Sequence, residues 1–375
     1  MFYLIRTILL GFCMTVLSVP FLAQASDGSD LFVVIVNDKR GYVDRTGKIV
    51  VEPKWGGANE FSEGLAIVAT YEGGYKQGYI APSGRVVIEP QYTMAQNFSE
   101  GLAAVGFGQF GLHNGGDHRT GFIDKSGKLV IEPKYRDASS FSEGLSLVYD
   151  EGKYGFIDKS GKVIVPLQFE DALSFSNGLA RVKVGDKFGF IDRSGKLVIS
   201  PKFSYAEPFS EGLAKVIVGG PKTSRTYGGY FAQRGKGQIQ FIDVQGTVIV
   251  KLPQNIIDAK SFSEGLAAIE LKAKGKDDPP LTGFIDRSGR FVIPPKYPFV
   301  DSFKDGLAQF LLDGKWTFMD KSGSIIFSTS YQVSYGFERG LAHAQQVGPG
   351  GYDDWQNHKY GYIDKMGKVI WAPTK

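Results

Sequence analysis

Short apolar runs alternate with polar turns along most of the chain, and the runs return in a fixed order. Leu179 to Val184 (LARVKV) puts Ala180, Val182 and Val184 on one face and Arg181 and Lys183 on the other, the period-two alternation of a half-buried strand. Phe188 to Asp192 (FGFID) is apolar on both faces and predicts a second strand covered on both sides. Lys196 to Ile199 (KLVI), apolar and β-branched, predicts a third. Between the second and third runs stands Asp-x-Ser-Gly, as at Asp158, Ser160 and Gly161. The carboxylate can cap such a turn and the glycine can take the positive φ that ends it, which predicts a tight hairpin with a glycine bulge. A proline after the third run, such as Pro133 or Pro201, is expected to stop pairing and begin the crossing to the next unit.

The unit recurs. GFIDKSGKLVIEPKY at Gly121 returns from Gly155, Gly189 and Gly283, with weaker copies from Gly41, Gly78, Gln240, Thr317 and Gly361. The turn glycines are Gly47, Gly84, Gly127, Gly161, Gly195, Gly246, Gly289, Gly323 and Gly367, so nine units of about 34 residues follow one another, some lengthened by insertions. A second marker, FSEGLA, joins them: Phe61, Phe98, Phe141, Phe175, Phe209, Phe262, Phe303 and Phe337 each stand three residues before a Gly-Leu pair. The aromatic eight residues beyond the turn glycine (Tyr92, Tyr135, Phe169, Phe203, Tyr297, Tyr331) and the linker Phe read as a wedge between neighbouring units. The expected fold is all-β, a tandem array of nine three-stranded antiparallel meanders from Leu31 to Pro373, either a propeller-like ring or an open superhelix. A meander this small cannot bury its own apolar face, so stability must come from stacking, with the first and last units more exposed.

The amino-terminal residues break this pattern. One charge at Arg6, an apolar stretch from Ile8 to Leu22 and an Ala-Gln-Ala ending at Ala25 have the layout of a secretory signal peptide over residues 1–25, cut before Ser26. The expected location is secreted or periplasmic, and no later segment is apolar enough to span a membrane. The one cysteine, Cys13, lies inside that signal, so residues 26–375 must fold without disulfides and offer no thiol chemistry. A formal charge of +4 is too small for its length to draw the chain to nucleic acid.

The order F-x-x-G-L-A, aromatic-Gly-aromatic-Ile-Asp, Gly-Lys and hydrophobic-Pro resembles the WG repeat family, also called KWG repeats, of bacterial proteins. The naming dipeptide departs from it, reading Tyr154-Gly155, Phe188-Gly189 and Tyr360-Gly361, while Trp316 is followed by Thr317. The resemblance implies a β-rich repeat assembly with an interaction or surface role.

Chemistry in the residues is sparse. Eight turn aspartates (Asp44, Asp124, Asp158, Asp192, Asp243, Asp286, Asp320, Asp364, with Ala81 the exception) argue for capping, since a catalytic pair is needed once. The linker glutamates (Glu63, Glu100, Glu143, Glu211, Glu264) give way to Asn177 and Arg339, which suits solvated or backbone-bonding groups. His113 and His118 share an insertion with Asp117 in spacing that matches no closed zinc site. No catalytic, cofactor or metal residues are therefore expected. The insertions (70–76, 107–119, 219–237, 272–280, 345–359) all fall between the first and second strands and should gather on one face. Two carry aromatics among charges: Lys222, Arg225, Tyr227, Tyr230, Phe231 and Arg234 in one, Tyr352, Asp353, Asp354 and Trp355 in another. These are the expected partner-binding residues of a monomeric, non-enzymatic scaffold for protein–protein contact. The alternative is cell-envelope glycan binding, in which the repeated aromatics stack on sugar rings.

Overall fold

The computed structural model describes residues 27–108, 117–220, 224–226, 229–231, 236–273, 275, 278–348 and 358–374. Nine small antiparallel sheets follow one another, each made from one stretch of chain. They close into a ring, a nine-bladed β-propeller. In blade five the expected strands are Ala180–Val184, Lys187–Ile191 and Leu197–Phe203. Phe188, Phe190 and Ile191 are fully buried, as the two-sided apolar pattern predicts.

The meander has a fourth member. In seven blades a short strand pairs with the inner edge of the first meander strand, whereas among the described residues blades one (Phe32–Val43 and Ile49–Trp55) and eight (Ala308–Thr329) have three strands. In blades two to seven this inner strand ends in alanine: Ala58, Ala95, Ala138, Ala172, Ala206 and Ala259. The expectation of three strands per unit is thus corrected. A crossing segment that enters the next sheet would leave its amides unpaired unless it took up ladder bonds there.

Proline does not stop pairing. Thr120 pairs with Tyr135 and Phe122 with Ile131, so Glu132, Pro133 and Lys134 bulge opposite Gly121, and the strand runs on to its aromatic. A Cβ on Gly121 would stand 2.6 Å from the Ile131 carbonyl oxygen. Only glycine fits beneath that bulge. Where Gln240 or Thr317 takes its place, the two strands pair without the bulge, Gln240 facing Lys251 and Thr317 facing Ser328. Glycine and bulge therefore come and go together within one molecule, which explains the second residue of the aromatic-Gly pair.

The core lies between blades. In blades one to eight the second-strand aromatic packs on the linker Phe of the following blade, as in Phe122–Phe141, Phe156–Phe175 and Phe190–Phe209, with ring centroids 4.8–4.9 Å apart. Tyr92, Tyr135, Phe169 and Phe203 are buried in the same clusters, and Tyr297 and Tyr331 are partly buried. The wedge reading holds, although the linker Phe stacks on the second-strand ring. The third meander strand is the outer one and leaves its apolar pair half-exposed, Leu197 at 45% and Val198 at 43%.

The terminal units are not the more exposed ones, because they pack on each other. Phe32, Val34 and Val43 share a buried cluster with Leu341 and Tyr362. The Phe32 and Tyr362 rings meet edge-on at 5.5 Å, and the Tyr362 hydroxyl donates to the Val33 carbonyl at 2.8 Å. Ring closure removes the two exposed ends that an open superhelix would keep.

Candidate functional site

The two faces of the ring differ. One carries the linker and hairpin turns. At six linkers Ser and Leu bridge across two residues with positive φ, such as Glu63 at 50° and Gly64 at 86°, a type I′ turn; Lys304 and Glu338 take the serine's place in the last two. A glutamate in the left-handed region is strained, and here its carboxylate ties one blade to the next. The Gly101 amide donates to Glu63 at 3.0 Å, Gly144 to Glu100 at 3.0 Å, Gly178 to Glu143 at 2.9 Å, Gly265 to Glu211 at 3.0 Å and Gly306 to Glu264 at 3.0 Å. Asn177 and Asp305 accept in the same way from Gly212 and Gly340. The serine beside each glutamate donates to the next linker Phe carbonyl, from Ser62 to Phe98 at 2.8 Å through Ser263 to Phe303 at 2.7 Å. Lys125, Lys159 and Lys321 of the hairpin turns then pair with Glu63, Glu100 and Glu264 at 3.0–3.2 Å. The glutamates are backbone-bonding, and the serines join them in a belt that the repeat pattern alone does not reveal.

The hairpin aspartates cap. Asp158 Oδ1 accepts from the Ser160 amide and hydroxyl and from the Lys162 amide at 2.6–3.1 Å. In Asp44, Asp124, Asp158, Asp192, Asp286 and Asp320 the neighbouring Ser or Thr hydroxyl, helped by the amides, holds the carboxyl below its ordinary 3.8. A depressed folded-state value adds stability that is present above the ordinary value and lost as pH falls through the depressed one. The melting temperature is therefore expected to fall on acidification below about pH 4. Thermal melts along a pH series check this, and a midpoint that does not fall there would remove these carboxylates from the stability account.

The opposite face carries the insertions. All five connect first to second meander strands, as expected: 70–76, 107–119, 218–238, 271–281 and 346–359. Arg225, Tyr230 and Phe231 lie on a two-stranded hairpin, Ser224–Thr226 with Gly229–Phe231, in which Arg225 faces Tyr230 in register. Lys222, Tyr227, Arg234, Tyr352, Asp353, Asp354 and Trp355, with His113, lie outside the described residues. One aromatic pair carries no signal in the repeat pattern: Tyr71 and Tyr75, exposed at 66% and 45%, lean on each other with centroids 5.4 Å apart. His118 is buried near Gly106 and Thr120. Among the described residues no cluster of His, Cys, Asp or Glu could hold a metal ion.

The first meander strands carry polar groups on the channel side. Arg181, expected on a solvent face, is buried: it pairs with Asp171 at 2.5 Å, donates to the Ala206 carbonyl at 3.1 Å and lies 4.8 Å over the Phe188 ring. Lys215 in the next blade pairs with Glu207 and donates to the Ala259 carbonyl at 2.6 Å. Each reaches across to the inner strand of the following blade, which is why a residue that alternation placed outside is enclosed.

The seam between blades nine and one breaks this regularity. Arg339 replaces the linker carboxylate and donates where the others accept, to the Ser29 carbonyl at 2.7 Å and to Glu60 at 2.7 Å. Its guanidinium lies 4.9 Å from the Phe32 ring centroid, and Arg45, 5.8 Å from that centroid, donates to the Arg339 carbonyl. Burial pushes the Glu60 carboxyl up against the pull of Arg339. Beside the seam a cavity of about 970 Å³ opens in the channel, lined among others by Val33, Ile35, Ala58, Glu60, Glu338, His343 and Tyr362. Burial pushes the His343 imidazole below its ordinary range.

A closed ring whose blades are stapled along one face and elaborated on the other is a β-propeller scaffold. The chain belongs to the WG containing repeat family, whose pattern matches residues 41–71, 78–108, 121–154, 154–188, 188–220 and 283–316, a little over half of the sequence. The copies from Gln240, Thr317 and Gly361 lie outside those matches. No curated protein matches the chain. Among solved structures it is similar to a eukaryotic initiation factor, with a TM-score of 0.60 and 12% identity over 91% of this chain and 95% of that one. It is also similar to BamB from Moraxella catarrhalis (TM-score 0.41, 13% identity, 91% and 96% covered) and Citrobacter koseri AztD (0.38, 12%, 90% and 92%). At such identities the likeness speaks to the fold alone. No helix among the described residues is long and apolar enough to cross a membrane.

Proposed function

We propose that the protein is an exported, non-enzymatic scaffold that holds a protein partner through the inserted hairpins on one face. The observation that carries this reading is the placement of the insertions. All five extend the same connection, and the opposite face is tied down by the Ser–Glu belt, leaving one face free to vary. The 219–237 hairpin, basic and aromatic, suits an acidic surface, and Tyr71 and Tyr75 add an exposed aromatic patch. Repeat aromatics stacked on sugars are less well supported, because Tyr92, Tyr135, Phe169 and Phe203 are occupied in the inter-blade core. Export, with cleavage after Ala25 and a periplasmic or extracellular location, rests on the charge, apolar run and Ala-Gln-Ala of the first residues.

Affinity capture from an envelope extract tests the reading. Cutting 219–237 and 347–358 back to two-residue turns like Gly185-Asp186 is expected to abolish capture of a protein partner and leave the melting temperature nearly unchanged. Equal capture of a protein by both versions would place binding away from the loops. Capture of glycan by both would transfer it to the repeats.

A further inference from the structure

Among the described residues blade one has no inner strand; by register that place belongs to residues 23 and 24, which the proposed cleavage after Ala25 removes, and the inference rests on that reading. In blade two the inner strand Gly57–Ala58 is fixed by the Gly56 amide donating to Ala69 O at 2.9 Å and the Asn59 amide donating to Ile67 O at 3.0 Å. Aligning Leu31 on Leu65 makes Val33 and Ile35 the equivalents of Ile67 and Ala69. Among the described residues no strand pairs with that edge of Phe32–Val36. The two carbonyls are met by side chains from blade nine, the Tyr362 hydroxyl at Val33 and the Thr374 hydroxyl at Ile35, and the Val33 amide donates to Glu60 at 3.4 Å. The edge therefore has the hydrogen-bonding pattern of a strand acceptor, met by two side-chain hydroxyls and a carboxylate rather than by a paired strand. Directly beside it lies the cavity of about 970 Å³, lined by Val33 and Ile35 on this edge, by Ala58 of blade two and by His343 and Tyr362 of blade nine.

We propose that this edge is a second binding site, independent of the loops, which takes an extended peptide segment of a partner protein as the missing inner strand of blade one. The molecule's own strands define the ligand. The residue that enters between blades is alanine in blades two to seven, and the buried residues there in blades eight and nine are Val300 and Val333, so the incoming segment carries a small apolar residue at that position. Its backbone amides replace the Tyr362 and Thr374 hydroxyls, the main-chain recognition of β-strand addition. Residues after the small one run toward the turn face. There Glu60, Glu264 and Asp305 are already paired with Arg339, Lys321 and Lys365, and the exposed Glu338 is the carboxylate left to meet a basic residue.

The test uses the chain from Ser26 and a synthetic peptide, Tyr-Thr-Met-Ala-Gln-Asn, which copies Tyr92 to Asn97, followed by two lysines. Binding is read by fluorescence anisotropy and located by hydrogen exchange of Phe32–Val36. Binding that slows exchange of that strand is the expected result. Methylating the peptide amide that meets Val33 O is expected to weaken it about tenfold, the worth of one main-chain hydrogen bond with its steric clash. Tryptophan in place of the peptide alanine is expected to abolish it. The exposed Glu338, replaced in Glu338→Gln, is expected to weaken the lysine-bearing peptide and leave one without lysines unaffected. Absence of binding, equal affinity of the methylated and parent peptides, or protection elsewhere in the ring would each overturn the proposal. Loop trimming tests the other site and is expected to leave this peptide's affinity intact, so the two readings fail separately.

Discussion

Phe190→Ala is expected to destabilise the ring by about 3–5 kcal/mol, the range for removing a fully enclosed phenylalanine whose surroundings cannot collapse. Phe190 is on the middle strand of blade five, wholly buried, and its ring lies 4.9 Å from that of Phe209 in blade six. Around the pair stand Ile199, Phe203, Ala206, Ala214, Val216 and Ile242, drawn from both sheets. Neither sheet can shift to fill the hole without opening the belt from Ser176 to Phe209 and from Asn177 to Gly212. The cavity therefore persists, and the cost includes lost contacts as well as lost transfer energy. Chemical denaturation of the variant beside Leu197→Ala, a half-exposed outer residue, measures the contrast. A loss for Phe190→Ala no larger than for Leu197→Ala would mean that the inter-blade clusters do not carry the fold.

How much of the ring is legible in the chain's own residues depends on where each contact lies. The second strand can be read from Phe188 to Ile191 because its neighbours within the sheet and its covering on both faces act on one short run. The turn aspartates are legible for the same reason, since Asp158 caps residues two and four positions on. Contacts that pass between units are not. The inner strand is two residues long, too short for any periodicity, and its trace is an alanine eleven residues after the turn glycine in most units: Ala58 after Gly47, Ala138 after Gly127, Ala172 after Gly161. The bulge reads as a strand end because proline without its partner signals a stop, whereas paired with Gly121 or Gly189 it marks two backbones in close approach. Alternation places Arg181 outside, since it knows one sheet and not the Ala206 carbonyl of the next. Closure of the ring rests on residues 294 and 310 positions apart, Arg339 with Arg45 and with Ser29, and nothing local encodes such a contact. Its sign is nonetheless visible: Arg339 is the one linker position where a cation replaces the carboxylate or amide of the other units.

Arg339→Ala is expected to cost about 2 kcal/mol, with the loss concentrated at the seam and dependent on pH, because it deprives a half-buried carboxylate of its cation. Arg339 holds Glu60 at 2.7 Å, donates to Ser29 O and covers the Phe32 ring, so three elements of the closure lose a partner at once. Restoring the repeat's own residue does not help. Arg339→Glu sets a second carboxylate beside Glu60 and against the Ser29 carbonyl, and is expected to be worse than alanine. The pH dependence separates charge from packing. Burial already pushes the Glu60 carboxyl up while Arg339 pulls it down, so removing the arginine raises it further. A group with a raised folded-state value binds its proton more readily in the fold, so the variant regains stability as pH falls through that value. The deficit of Arg339→Ala is therefore expected to shrink between neutral pH and about pH 5, and to shrink at neutral pH when Glu60→Gln is added. Thermal melts of the single and double variants at the two pH values read this directly. A deficit unchanged by acid and by Glu60→Gln would assign the whole of Arg339's contribution to the apolar contact over Phe32, and the seam would then be held by packing as the other blades are.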